Sequence, residues 1–124
     1  MTIMDVIYRI DELKPNSYSQ PEKIKWLSSL DGMIKSEIID THEGGEDKAF
    51  EGYKEDADLN TVLLVPYPYD DIYLRWLEAQ IDYTNGEYGK YNNSIVAFND
   101  AYMNYQRYYN RINMPISKQR RFMF

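Results

Sequence analysis

The only histidine, His42, sits in the run Asp40-Thr41-His42-Glu43, where carboxylates flank an imidazole. Oxygen and nitrogen donors so placed could hold a cation or exchange a proton as an acid–base pair. A metal site usually needs three or more convergent ligands, and the EF-hand spacing is missing. A loop rich in acid supplies neighbouring carboxylates without any site, so the segment reads as solvated surface. Asp70 and Asp71 read as first-turn acids that favour a helix N-terminus. There is no Gly-x-Gly-x-x-Gly or Walker-type loop, no His-Glu-x-x-His, and no serine–histidine–acid trio. A small enzyme would have to draw on Asp70, Asp82, Glu87 or His42, with a pocket to bring two of them together. The expectation is no catalytic residue, no metal ligand set and no cofactor.

Composition points to surfaces instead. The 124 residues suit one domain, and thirteen tyrosines stand among four phenylalanines and two tryptophans. A tyrosine can be half buried, contributing area while its hydroxyl stays bonded, which fits either a tyrosine-rich core or a face that another protein covers. Cysteine is absent, which excludes disulfides, thiolate nucleophiles and zinc–thiolate sites and is compatible with a reducing cytoplasm. The segment Met1-Thr2-Ile3-Met4-Asp5 lacks a basic n-region, and no apolar run reaches membrane-spanning length, so neither export nor a membrane span is expected.

The net charge of −6 argues against wrapping nucleic acid. Its distribution is uneven. All twenty acidic residues fall at or before Asp100, and the residues beyond it carry only basic groups, Arg107, Arg111, Lys118, Arg120 and Arg121. Opposite charge at two ends of one small subunit favours head-to-tail contact between copies, and for Arg107 and Arg111 a helix end complementing its macrodipole is the alternative.

These residues need a scaffold, and the spacing predicts about four helices. Ile3, Val6, Ile7, Ile10 and Leu13 trace the first, stopped by Lys14-Pro15-Asn16. Ser19-Gln20-Pro21-Glu22 opens the second, with Ser19 as cap and Glu22 placed to reach back. Ile24, Leu27, Leu30, Ile34 and Ile38 continue it to about Thr41. Residues 40–58 hold eight acids, two lysines and three glycines, and read as a long, exposed acidic loop with a mobile tip. Val62-Leu63-Leu64-Val65 is a single strand or an extended segment, whose partner would be a hairpin arm around Ala49, Phe50 and Tyr53 or a neighbouring subunit. Ile72, Tyr73, Trp76, Leu77, Gln80, Ile81 and Tyr83 predict a third helix, central to the fold, that ends near Asn85-Gly86. Tyr88, Tyr91, Ile95, Phe98, Tyr102, Tyr105, Tyr109 and Ile112 alternate steps of three and four, a heptad-like stripe that would pack on the third helix or form a seam between subunits. Asn92, Asn93 and Asn99 on this helix read as buried amides or intersubunit contacts.

Several blocks resemble a family of phage and prophage head-tail connector proteins. They are Pro68-Tyr69-Asp70, Ile72-Tyr73, Trp76-Leu77, Gln80-Ile81-Asp82, Gly86-Glu87-Tyr88, Tyr91-Asn92-Asn93-Ser94, Phe98-Asn99 and Tyr109-Asn110-Arg111 before Met114-Pro115. Trp26-Leu27-Ser28-Ser29-Leu30-Asp31-Gly32 and Thr41-His42-Glu43-Gly44 resemble it too. The likeness runs from about Pro21 to Pro115. It implies a virion subunit, assembled in the host cytoplasm, that forms a twelvefold ring beneath the portal protein. Such a ring receives the next connector, stopper or tail protein, and DNA passes through its channel without specific binding. The family supplies no catalytic residues to carry over. A regulatory adaptor binding its partner through the tyrosine stripe is the alternative.

The expected organisation is thus a mainly α, small helical bundle over residues 1–115 with an extended C-terminal tail over 116–124. That tail is expected to dock on a neighbouring subunit or the portal. Lys118, Arg120 and Arg121 would meet acidic surface, and Phe122 and Phe124 would fill apolar pockets.

Overall fold

The computed structural model describes residues 1–42 and 49–114, which form a mainly helical bundle. Helix α1 spans Ile3–Leu13, α2 Gln20–Glu37, α3 Ile72–Thr84 and α4 Tyr88–Ile112, with a 3-10 turn at Ile39–Thr41 after α2. Helix α3 lies between α4 and the α1/α2 pair and packs against all three. Among the described residues no helix is long and apolar enough to cross a membrane.

Capping explains the helix limits. At α1, Thr2 and Asp5 form a reciprocal capping box: the Thr2 side chain accepts from the Asp5 amide and the Asp5 carboxylate from the Thr2 amide. The box expected at α2 is only half made, since Ser19 accepts from the Glu22 amide at 3.3 Å while no return bond joins Glu22 to Ser19. Helix α3 stops at Gly86, whose φ of +76° lets the chain turn left-handed. The Glu87 amide then donates to the Asp82 carbonyl and the Gly86 amide to the Tyr83 carbonyl, which satisfies two helix-end carbonyls and folds α4 back on α3.

The core collects the apolar stripes: Ile3, Val6 and Ile10 from α1, Leu27, Leu30 and Ile34 from α2, Ile72, Tyr73 and Leu77 from α3, and Phe98 and Tyr105 from α4. Each such aliphatic side chain stabilises the fold by about 1.5–3 kcal/mol relative to exposure. The segment 49–66 is a strap over this core. Gly52, at φ +91°, lets it approach α2 so closely that an added Cβ would stand 2.5 Å from Ser28 Oγ. The Tyr53 amide donates to that same oxygen at 2.9 Å.

The extended segment pairs differently from expectation. The run from Val62 finds its partner at the N-terminus, through one antiparallel bridge between Thr2 and Val62 flanked by bonds from Ile3 N to Thr61 O and from Leu63 N to Met1 O. Neither a hairpin with Ala49, Phe50 and Tyr53 nor a second subunit is needed. Along the acidic loop Thr41, Ala49, Glu51, Lys54, Glu55, Asp56 and Asp58 are exposed, as its charge suggests, while Tyr53 and Ala57, with Leu59 just beyond it, pack on the core. Residues 43–48, the expected tip, fall outside the described residues.

Candidate interaction surface

Ionisable side chains inside the bundle hold elements together. Asp31, fully buried on α2, accepts from the Tyr73 hydroxyl at 2.6 Å, from the Leu64 amide at 3.2 Å and from the Tyr53 hydroxyl. Burial pushes its acidity toward the protonated form, and the three donors oppose that push without cancelling it. Tyr73 passes the network on, accepting from the Val65 amide at 2.8 Å. One carboxylate thereby binds α2, α3 and the strap.

Asp82 does the same for α1, α3 and α4. It is buried, with Lys14 Nζ at 2.5 Å on one oxygen and Ser94 Oγ donating at 2.5 Å to the other. His42 is buried as well, contrary to the expectation of a solvated loop residue. Its Nδ1 lies 2.5 Å from the Ile38 carbonyl, its Nε2 2.7 Å from Asn110 Oδ1, and its ring meets Tyr109 edge-on at 4.6 Å. The acids around the histidine dominate the local composition, whereas the 3-10 turn after α2 brings its ring against α4.

The four candidates for acid–base chemistry are dispersed. Asp70 pairs with the N-terminal amine at 3.4 Å, Asp82 with Lys14, Glu87 with Lys90 at 3.6 Å, and His42 with Asn110. Among the described residues no group of three or more His, Asp or Glu side chains converges as a metal site would require. Asp71, expected as a first-turn acid, is instead the N-cap residue of α3 and makes no side-chain cap bond.

The outer face of α4 differs. Asn92, Asn93 and Asn99 are exposed, so the buried-amide reading is overturned for all three. Tyr88, Val96, Met103 and Ile112 are exposed too, each by 47% or more. Along the C-terminal half, one flank is an apolar groove of about 420 Å³ where Phe50, Leu64, Pro66, Tyr105, Tyr109 and Ile112 meet. The other flank is a polar hollow of about 360 Å³ that includes Tyr69, Asp71, Asn104, Arg107 and Arg111. Arg107 and Arg111 are brought together there, exposed, and Arg107 donates to Asn104 at 3.2 Å. Lys118, Arg120, Arg121, Phe122 and Phe124 lie outside the described residues.

Asp31 was missed in the sequence, though a signal was present. It stands four residues from Leu27 and three from Ile34, in the seam of the α2 apolar stripe, where an acid must find donors. No family model, curated protein or solved structure matches the chain.

Proposed function

We propose that this chain is a structural subunit of a phage-type head–tail junction, which joins copies of itself into a ring beneath a portal and works without catalysis. The observation that carries the reading is the contrast on α4. The acids and the histidine of the interior are engaged in bonds between elements, while the C-terminal half of α4 presents an apolar groove and two arginines without a carboxylate partner among the described residues. Aromatic side chains with arginine are the residue types that anchor protein interfaces. The sequence blocks from Pro21 to Pro115 that resemble connector proteins support the same reading, as does the acidic body, because a negative channel wall repels phosphates and lets DNA pass. In this proposal the portal lies on one side of the ring and a further connector, stopper or tail protein on the other.

Light scattering on the purified chain, alone and mixed with the portal protein encoded beside it, tests the reading. The expected result is a large complex with the portal that weakens when residues 118–124 are removed. A chain that remains monomeric in both mixtures would overturn the connector reading and favour a regulatory adaptor. Tight, salt-dependent DNA binding would sink the channel-lining part.

A further inference from the structure

Arg107 and Arg111 sit four residues apart, one turn above the other on α4. Both are exposed, and among the described residues neither meets a carboxylate within ion-pair distance. Asp71 shares the rim of their hollow without pairing with either. Elsewhere the strap displays Glu51, Glu55, Asp56 and Asp58, all exposed and none in an ion pair among the described residues. This bend is held in place. Within it the Tyr53 amide is bonded to Ser28 and a turn joins Ala57 N to Lys54 O; after it the Leu59 carbonyl accepts from Met4 N at 2.9 Å and a turn joins Thr61 N to Asp58 O.

We propose that Arg107 and Arg111 of one copy receive carboxylates of the 51–58 bend of a second copy, a head-to-tail contact. This deepens the ring reading above and rests on it. Three features support the pairing. The guanidinium fork matches a carboxylate in geometry and charge. The bend is already ordered, so little conformational freedom is lost when it docks. The two patches ride on different parts of the fold, the bend anchored to α1 and α2 and the arginines on α4. Two different surfaces on each copy make the contact heterologous, the type that propagates and closes into rings. The basic tail is the poorer occupant of the hollow, since Lys118, Arg120 and Arg121 carry the same sign as the arginines.

Reciprocal charge reversal in the full chain tests this. Sedimentation velocity is run on wild type, on Arg107→Glu with Arg111→Glu, on Glu55→Lys with Asp56→Lys, and on an equal mixture of the two variants, alone and with portal, at low and high salt. Each double variant should lose roughly tenfold or more in self-association, because like charges then face each other. The mixture should regain it, and added salt should weaken it. Circular dichroism checks that the helices persist; all four sites are exposed. Wild type that associates while both variants also associate, or while the mixture stays dissociated, overturns the pairing and leaves the ring reading standing. Wild type that never associates, alone or on the portal, brings down the ring reading and this contact with it. If Arg107→Glu with Arg111→Glu abolishes binding to duplex DNA and spares association, the arginines face nucleic acid and the proposal is wrong.

Discussion

The Tyr73 hydroxyl donates to Asp31 at 2.6 Å while accepting from the Val65 amide at 2.8 Å, so one phenol on α3 joins α2 to the strap. The arrangement explains why a carboxylate stands in an apolar seam. Three donors would otherwise be left in the core without a partner.

Replacing Asp31 by alanine should therefore cost about 2–3 kcal/mol, through the donors it strands. Asp31→Asn keeps one oxygen acceptor, removes the buried charge and should cost less. The pH dependence follows from the raised pKa of Asp31, which burial makes a weaker acid. The folded state holds this proton at pH values where the unfolded chain has released it, so the contribution of Asp31 to stability is full below the ordinary carboxylate value and falls as pH rises through its own raised value. Urea titrations across that window should show a downward slope with pH in wild type that flattens in Asp31→Asn. Equal slopes in the two proteins would refute the assignment.

The phenols of Tyr53, Tyr73, Tyr102 and Tyr105 are all held above their ordinary value of 10.0. Burial is the first cause in each. The negative charge of Asp31 adds to it for Tyr53 and Tyr73, and a hydrogen bond to Glu37 adds to it for Tyr102. Above that value the unfolded chain loses phenolic protons that the folded chain keeps, so stability falls with further alkalinity. In an ultraviolet titration these four rings should ionise only together with the loss of helical circular dichroism. A smooth titration of all thirteen tyrosines with intact helices would contradict the burial described.

Asp82 should be the most sensitive polar position outside the Asp31 network. Its removal leaves Lys14 and Ser94 unpartnered where three helices meet, and Asp82→Ala should cost about 3 kcal/mol. Ser94→Ala should cost nearer 1 kcal/mol. A double-mutant cycle of Lys14→Met with Asp82→Asn measures the coupling directly, and a coupling of zero would show that the pair is incidental.

His42 should matter for stability. The ring bridges two elements, with Nδ1 bonded to the Ile38 carbonyl at the end of α2 and Nε2 bonded to the Asn110 side chain on α4. His42→Ala and Asn110→Ala should each loosen the end of α4, by about 1–3 kcal/mol for the histidine. Amide hydrogen exchange from Tyr105 to Ile112 reads this out, and unchanged protection in both variants would exclude the latch.

The sequence by itself determined the helices and their limits. Apolar residues three and four apart can only be buried together on a helix, and Pro15, Ser19 and Gly86 mark ends for local reasons of ring geometry, capping and left-handed backbone. It also singled out Arg107 and Arg111 as candidates, since the loss of every acid after Asp100 is visible without coordinates. Tertiary structure decided the rest. Whether Asp31 and Asp82 face solvent or core depends on donors from Tyr73, Leu64, Lys14 and Ser94 that are distant in sequence, and Val62 meets Thr2 across sixty residues of chain. His42 is the sharpest case: its neighbours in sequence are acids in water, and its neighbours in space are Tyr109 and Asn110. Local pattern reports which face of an element is apolar, whereas the partner of a polar group is set by packing between elements, and packing is not local.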